Sequence, residues 1–217
     1  MKYPMGSLVY WMDILYFPSV SARVFMPLVA ALPYAASIAD DLDSGLLLQT
    51  LPRSSLKRFS CSRFIAAGMT GGAVLLAARI GLLLLMLWRL PFAAADFPPY
   101  PMTYIDWMIE HQAVWQYFVF QGTTQFLLGF WSAGLSLCLS VYTNRRGVIY
   151  TFVSFLLIVL TQVAGFSLLD YFSGVSGYFL PPASPGHALY MIGGIGLAII
   201  VSSYAIFHLS LRRRLYR

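Results

Sequence analysis

The densest group of ionisable side chains is the run Asp40-Asp41-Leu42-Asp43. Three carboxylates in four positions approach the metal-binding DDxxD pattern, but the position of the last aspartate holds Ser44 and no second acidic motif follows. We expect Asp40 or Asp41 to cap the start of a short helix, where a carboxylate accepts orphan backbone N–H groups and favours the positive end of the dipole. Other chemical spacings are missing: the chain has no HExxH, no GxSxG and no GxxxxGK[ST] loop. His111, His187 and His208 are scattered without i,i+4 pairing, and Cys61 and Cys138 lack CxxC spacing. The expectation is a protein without catalytic residues, metal or directly bound cofactor.

One basic residue stands out by position. Arg79 lies deep within a long apolar block, and an arginine in a bilayer costs about 2.5–3.5 kcal/mol on insertion scales, which makes it a functional candidate. Counting from the inner ends of the apolar blocks at about 1.5 Å per residue puts Arg79 near ~22 Å, Gln125 near ~25 Å and Gln162 near ~21 Å. These three side chains, from three different helices, are a candidate translocation path. The alternative is that Arg79 snorkels outward or stitches helices together.

The elements that would position these residues follow from composition. Of 217 residues, 59% are hydrophobic and 10% charged, with mean hydropathy +0.72; a soluble domain carries about 25% charged residues, so an ordinary soluble domain is excluded. Five apolar blocks approach or exceed the roughly 20 residues a crossing helix needs: 22–39, 64–88, 113–142, 148–169 and 189–211. The reading is one all-α domain, 1–217, a polytopic membrane helical bundle of about five transmembrane helices plus a short cytoplasmic coupling helix within segment 40–62. Pro27 and Pro33 predict a kink in the first span. The proline-broken, aromatic segments 89–112 and 171–188 read as outer loops, and residues 1–21 as an interfacial stretch too short to cross.

The net charge of +6 is topological. Ten of the fourteen Lys and Arg residues follow the first, third and last blocks, as Arg53, Lys57, Arg58, Arg63, Arg145, Arg146, Arg212, Arg213, Arg214 and Arg217. Lys/Arg excess in short loops marks the cytoplasmic side, so the C-terminus is placed inside and, with five spans, the N-terminus outside. A nucleic-acid partner is not expected.

The segment Asp40–Phe59 has its own signature. Leu47, Leu48 and Leu51 share a face if helical, with Pro52 ending the helix. Such a stripe either lies flat on the bilayer or docks into a groove of a soluble partner.

Phe25-Met26-Pro27-Leu28 through Pro33-Tyr34, the acidic run with Ser44-Gly45, then Leu51-Pro52-Arg53-Ser54-Ser55, Arg63-Phe64-Ile65-Ala66 and Gly71-Gly72 resemble the second and third spans and coupling helix of bacterial type-2 ABC transporter permeases. Gly129–Asn144, with Gly134, Ser136 and Ser140 leading to Thr143-Asn144-Arg145-Arg146, resembles that family's fourth span and inner loop, especially in small permeases of multicomponent export systems. The resemblance covers most of the chain. It implies a permease subunit in the bacterial cytoplasmic membrane, an ABC ATPase partner that uses the ATP, and a second permease half, either identical or related. The family's first span has no counterpart here, residues 1–21 matching what would be its outer loop. The implied coupling residues are Asp41, Asp43, Gly45, Leu47, Leu51 and Arg53, with the acids making polar contacts, the leucines filling the partner's groove and Gly45 allowing close approach. Two other classes compete: a membrane enzyme acting on lipid or isoprenoid substrates, and an immunity-type membrane binding protein.

Overall fold

The computed structural model describes residues 20–46, 55–89, 114–143, 145–164 and 185–215. Among them every regular element is an α-helix: α1 Val20–Ala31, α2 Ser37–Asp43, α3 Leu56–Arg89, α4 Val114–Ser140, α5 Arg146–Ala164 and α6 Pro185–Leu215. Among the described residues one helix, α3, is long and apolar enough to cross a membrane, and a shorter apolar stretch spans Arg146–Leu156.

The expected kink in the first block is a full break. Pro33 lacks an amide hydrogen and disfavours helical geometry at the residue before it, so α1 stops at Ala31 and the chain turns through Leu32–Ala36. Helical-type bonds from Ala35 N to Ala31 O (3.0 Å) and Ser37 N to Tyr34 O (3.1 Å) carry it into α2. Asp40 and Asp41 are therefore not helix caps: α2 begins at Ser37, its N-cap Ala36 has no side-chain bond, and both acids lie inside the helix.

α3 starts eight residues before the apolar block at 64, because Ser55 accepts the Arg58 amide (3.4 Å) and seeds the helix within the polar segment. At about 1.5 Å per residue its 34 residues extend ~51 Å, beyond the ~30 Å of a bilayer core.

The bundle is centred on α3 and α4, which run antiparallel. A methyl group added at Gly71 would lie 2.6 Å from the Gly129 carbonyl oxygen and 2.9 Å from that of Ala30, so α1, α3 and α4 meet backbone to backbone. This is the close approach that small residues permit between helices. Below the crossing, Phe64 packs edge-on to Phe130 (centroids 5.8 Å) and stacks with Phe207 (6.1 Å), joining α3, α4 and α6 in a core with Ile38, Leu137 and Leu211. Ala31, Ala35, Ala36 and Ala39 form a second core against Ile149 of α5.

Beside these apolar cores, large apolar side chains also face outward and several hydroxyls lie inside. Leu84, Phe155, Leu197 and Val201 are more than half exposed, whereas Ser132, Ser136, Ser140 and Thr124 are fully enclosed.

Candidate functional site

One end of the bundle gathers the charged residues. Three carboxylates crowd into seven-residue α2, and its C-terminal half is the negative end of the helix dipole, so they need cations. Two are supplied from different helices. Asp41 accepts a hydrogen bond from Arg63 of α3 at 2.5 Å, and Asp40 accepts one from Arg146 of α5 at 2.8 Å. α2 is thus tied at adjacent residues to two long helices, about two turns into α3 and at the first residue of α5.

The ties differ in strength. Arg63 and Asp41 side chains are 24% and 16% exposed, and the Arg63 guanidinium also donates to the Tyr34 hydroxyl and lies 5.4 Å from the Phe59 ring centroid and 5.7 Å from that of Tyr34. Partial burial, a second hydrogen bond and two aromatic rings hold this cation in one geometry. The Arg146–Asp40 pair is solvent-exposed. Its hydrogen bond and then its Coulombic attraction raise the Arg146 pKa above the ordinary arginine value, offsetting the mismatch of a cation in the first turn of α5. Exposed pairs of this kind contribute little to stability, because solvent and salt screen them.

Gly45 closes α2. Its φ of 70° is left-handed, with its amide bonded to the Leu42 carbonyl at 3.3 Å, and the Ser44 hydroxyl donates to the Asp40 carbonyl at 2.8 Å. Nothing lies within 4 Å of a methyl group added there, so the glycine is required by the backbone and leaves the adjoining space open. Gly45→Ala should cost about 1 kcal/mol through the left-handed penalty alone. Faster hydrogen exchange confined to α2, with the thermal midpoint of the bundle nearly unchanged, is the expected readout.

Asp41, expected to reach a partner, is paired with Arg63 inside the chain and partly buried, and Asp43 is exposed on the same short helix. Leu47, Leu51 and Arg53 lie outside the described residues. Of the candidate path, Arg79 and Gln125 are both buried, at 6% and 4% exposure. They are not level. Gly72 against Phe126 and Gly122 against Leu76 set the α3–α4 register, which places Arg79 roughly 6–9 Å further along the interface than Gln125 at about 1.5 Å per residue. The difference arises because the depth count took residue 64 as the inner end of a helix that begins at Leu56. Gln162 falls in α5, its side chain outside the described residues.

Sequence reasoning missed Tyr34, Arg63 and Arg146 as site residues. A cation at a helix start was visible, but which acid it meets depends on the turn at Pro33. It also missed a bond between α3 and α6, in which Ser60 Oγ lies 2.9 Å from His208 Nδ1 and 3.1 Å from the Lys57 carbonyl. The one hydroxyl proton of Ser60, spent on that carbonyl, leaves its lone pairs to accept from His208 Nδ1–H. A serine–histidine contact can activate a nucleophile, but Ser60 is fully enclosed by helices, and the contact serves to join them. Tyr142 donating to Ser210 at 2.6 Å joins α4 to α6 near the same end.

Comparison with family models, with curated proteins and with solved structures finds no match for this chain.

Proposed function

We propose that this chain is the transmembrane permease subunit of an ABC exporter, moving substrate across the bacterial cytoplasmic membrane while a separate subunit hydrolyses ATP. The observation that carries the reading is the double tie of α2, through Asp41 to Arg63 and through Asp40 to Arg146. A short helix held at one end of a bundle by two ion pairs to different helices can pass a displacement to both. α2 and the leucines after it receive the ATPase. Arg63 carries the motion into α3 and Arg146 into α5, and the two bundle arrangements differ in the contacts these residues keep.

Two further observations support a membrane setting. Many large apolar side chains are exposed, while serine and threonine hydroxyls and small residues lie enclosed among the apolar core, a combination that suits helices packed in lipid. The basic residues Lys57, Arg58, Arg145, Arg146, Arg212, Arg213 and Arg214 collect at the end where α2 sits, as cytoplasmic residues do. In this reading α1 with the turn after it, α3, α4, α5 and α6 make five crossings. A second permease half completes the path, and Asp43, exposed on α2, faces the ATPase.

Leu47→Asp provides the test. With the ATPase subunit present, the variant should insert normally but lose its effect on ATP hydrolysis, because a buried carboxylate in the partner's groove is strongly disfavoured. Unchanged stimulation of the ATPase by the variant sinks the assignment.

A further inference from the structure

α6 presents one exposed face along its inner half. Val201, Ile206 and Leu209 are each more than half exposed, Ser202 and Ala205 lie open among them, and Arg212 and Arg213 continue the same face at the helix end. The opposite face is fixed: Phe207 and Leu211 are fully buried and Ser203 accepts the Cys138 thiol through its carbonyl, while His208, at the margin of the exposed face, meets Ser60. The exposed face is therefore a rigid track, apolar for most of its length and doubly cationic at one end.

Its dimensions fit a particular molecule. From Val201 to Arg213 the helix rises about 18 Å at 1.5 Å per residue, and one leaflet of hydrocarbon is about 15 Å, half of the ~30 Å core. The two ion pairs described at this end of the bundle engage Arg63 and Arg146 and leave Arg212 and Arg213 facing outward.

We infer that this face of α6 binds an anionic phospholipid of the inner leaflet, its acyl chains along Val201, Ile206 and Leu209 and its phosphate between Arg212 and Arg213. The inference rests on the membrane reading given above. Charge complementarity selects the anionic headgroup, since each cation near such a surface contributes favourably, while the apolar track selects a diacyl lipid over a free phosphate.

The test uses the full chain in phosphatidylcholine nanodiscs containing graded phosphatidylglycerol, with native mass spectrometry to count the lipids retained. The wild-type protein should retain phosphatidylglycerol in preference to phosphatidylcholine, and R212Q/R213Q should lower that preference roughly 10–30-fold while the thermal midpoint stays put. Equal retention of the two lipids by the wild type, or an unaltered preference in R212Q/R213Q, overturns the inference. Displacement of bound phosphatidylglycerol by an equal concentration of inorganic phosphate also overturns it, since the acyl track would then contribute nothing. Cysteine cross-linking of Leu209 to Leu209 between two chains would assign the face to a second copy instead. Failure of the chain to enter nanodiscs at all contradicts the membrane reading itself, which separates the two.

Discussion

Gly129→Leu should prevent the bundle from assembling. A side chain at this position would run into the Gly71 carbonyl and lie 2.9 Å from the Gly72 Cα. Both obstacles are backbone, so no rotamer change in a neighbour makes room. A single added methyl already overpacks the crossing, and Gly129→Ala is expected to cost about 1–3 kcal/mol. Leucine adds three more carbons against the same backbone and should force α3 and α4 apart, opening the seam that also holds Ala30 of α1. Size-exclusion chromatography in mild detergent checks this: wild type elutes as one sharp species, Gly129→Ala does so with a lowered thermal midpoint, and Gly129→Leu aggregates. Gly147→Leu, where nothing lies within 4 Å of an added methyl, is the control and should behave as wild type. A monodisperse Gly129→Leu protein with an unshifted midpoint would contradict the crossing.

Arg63→Ala should both destabilise the α2 end and disconnect it. Removing one partner of a buried ion pair costs about 3–5 kcal/mol, because the other charge is left in a poor solvent. Exposures of 24% and 16% admit some water, which reduces the expected loss to about 2–3 kcal/mol after allowing for screening. The Tyr34 hydroxyl and the Tyr34 and Phe59 rings lose the same cation. Asp41→Asn should cost less than Arg63→Ala, since it leaves the guanidinium its tyrosine and rings. Arg146→Ala should cost least of the three, as its pair is exposed. Thermal unfolding in detergent gives the ranking, and a double-mutant cycle on Asp41 and Arg63 should return about 1–2 kcal/mol of coupling. Under the permease reading Arg63→Ala keeps the ATPase bound but weakens its control, because α2 still docks while its main tie to α3 is cut. Equal stability of Arg63→Ala and Arg146→Ala would show that the half-buried tie has no special role.

Much of the architecture was legible because apolar blocks in this composition have few alternatives. The block at 113–142 became α4 at Val114–Ser140, and that at 189–211 became most of α6. The start of α3 was illegible for a physical reason: Lys57, Arg58 and Arg63 lower the hydropathy of its first turns, yet Ser55 caps a helix there all the same. Pro33 signalled a disturbance, but local sequence does not distinguish a kink from a break when the packing of Ala35, Ala36 and Ala39 on α5 decides it. The acidic run stood out in the sequence, whereas its ion pairs did not. Three carboxylates facing many arginines allow too many pairings, and only the turn through Leu32–Ala36 brings Asp41 to Arg63 and Asp40 to Arg146. The level placement of Arg79 with Gln125 failed through the same eight-residue extension of α3. Gly45 was noted as an approach point, and its left-handed backbone supplies a reason that its sequence neighbours only suggest.

The most direct measurement is co-expression of the full chain with each ABC ATPase encoded beside it, followed by gentle solubilisation, purification on a tag carried by this chain and assay of ATP hydrolysis. The account predicts a stoichiometric complex whose hydrolysis rate differs from that of the ATPase alone, and loss of that difference in Leu47→Asp. Absence of a complex with any of those ATPases would contradict it.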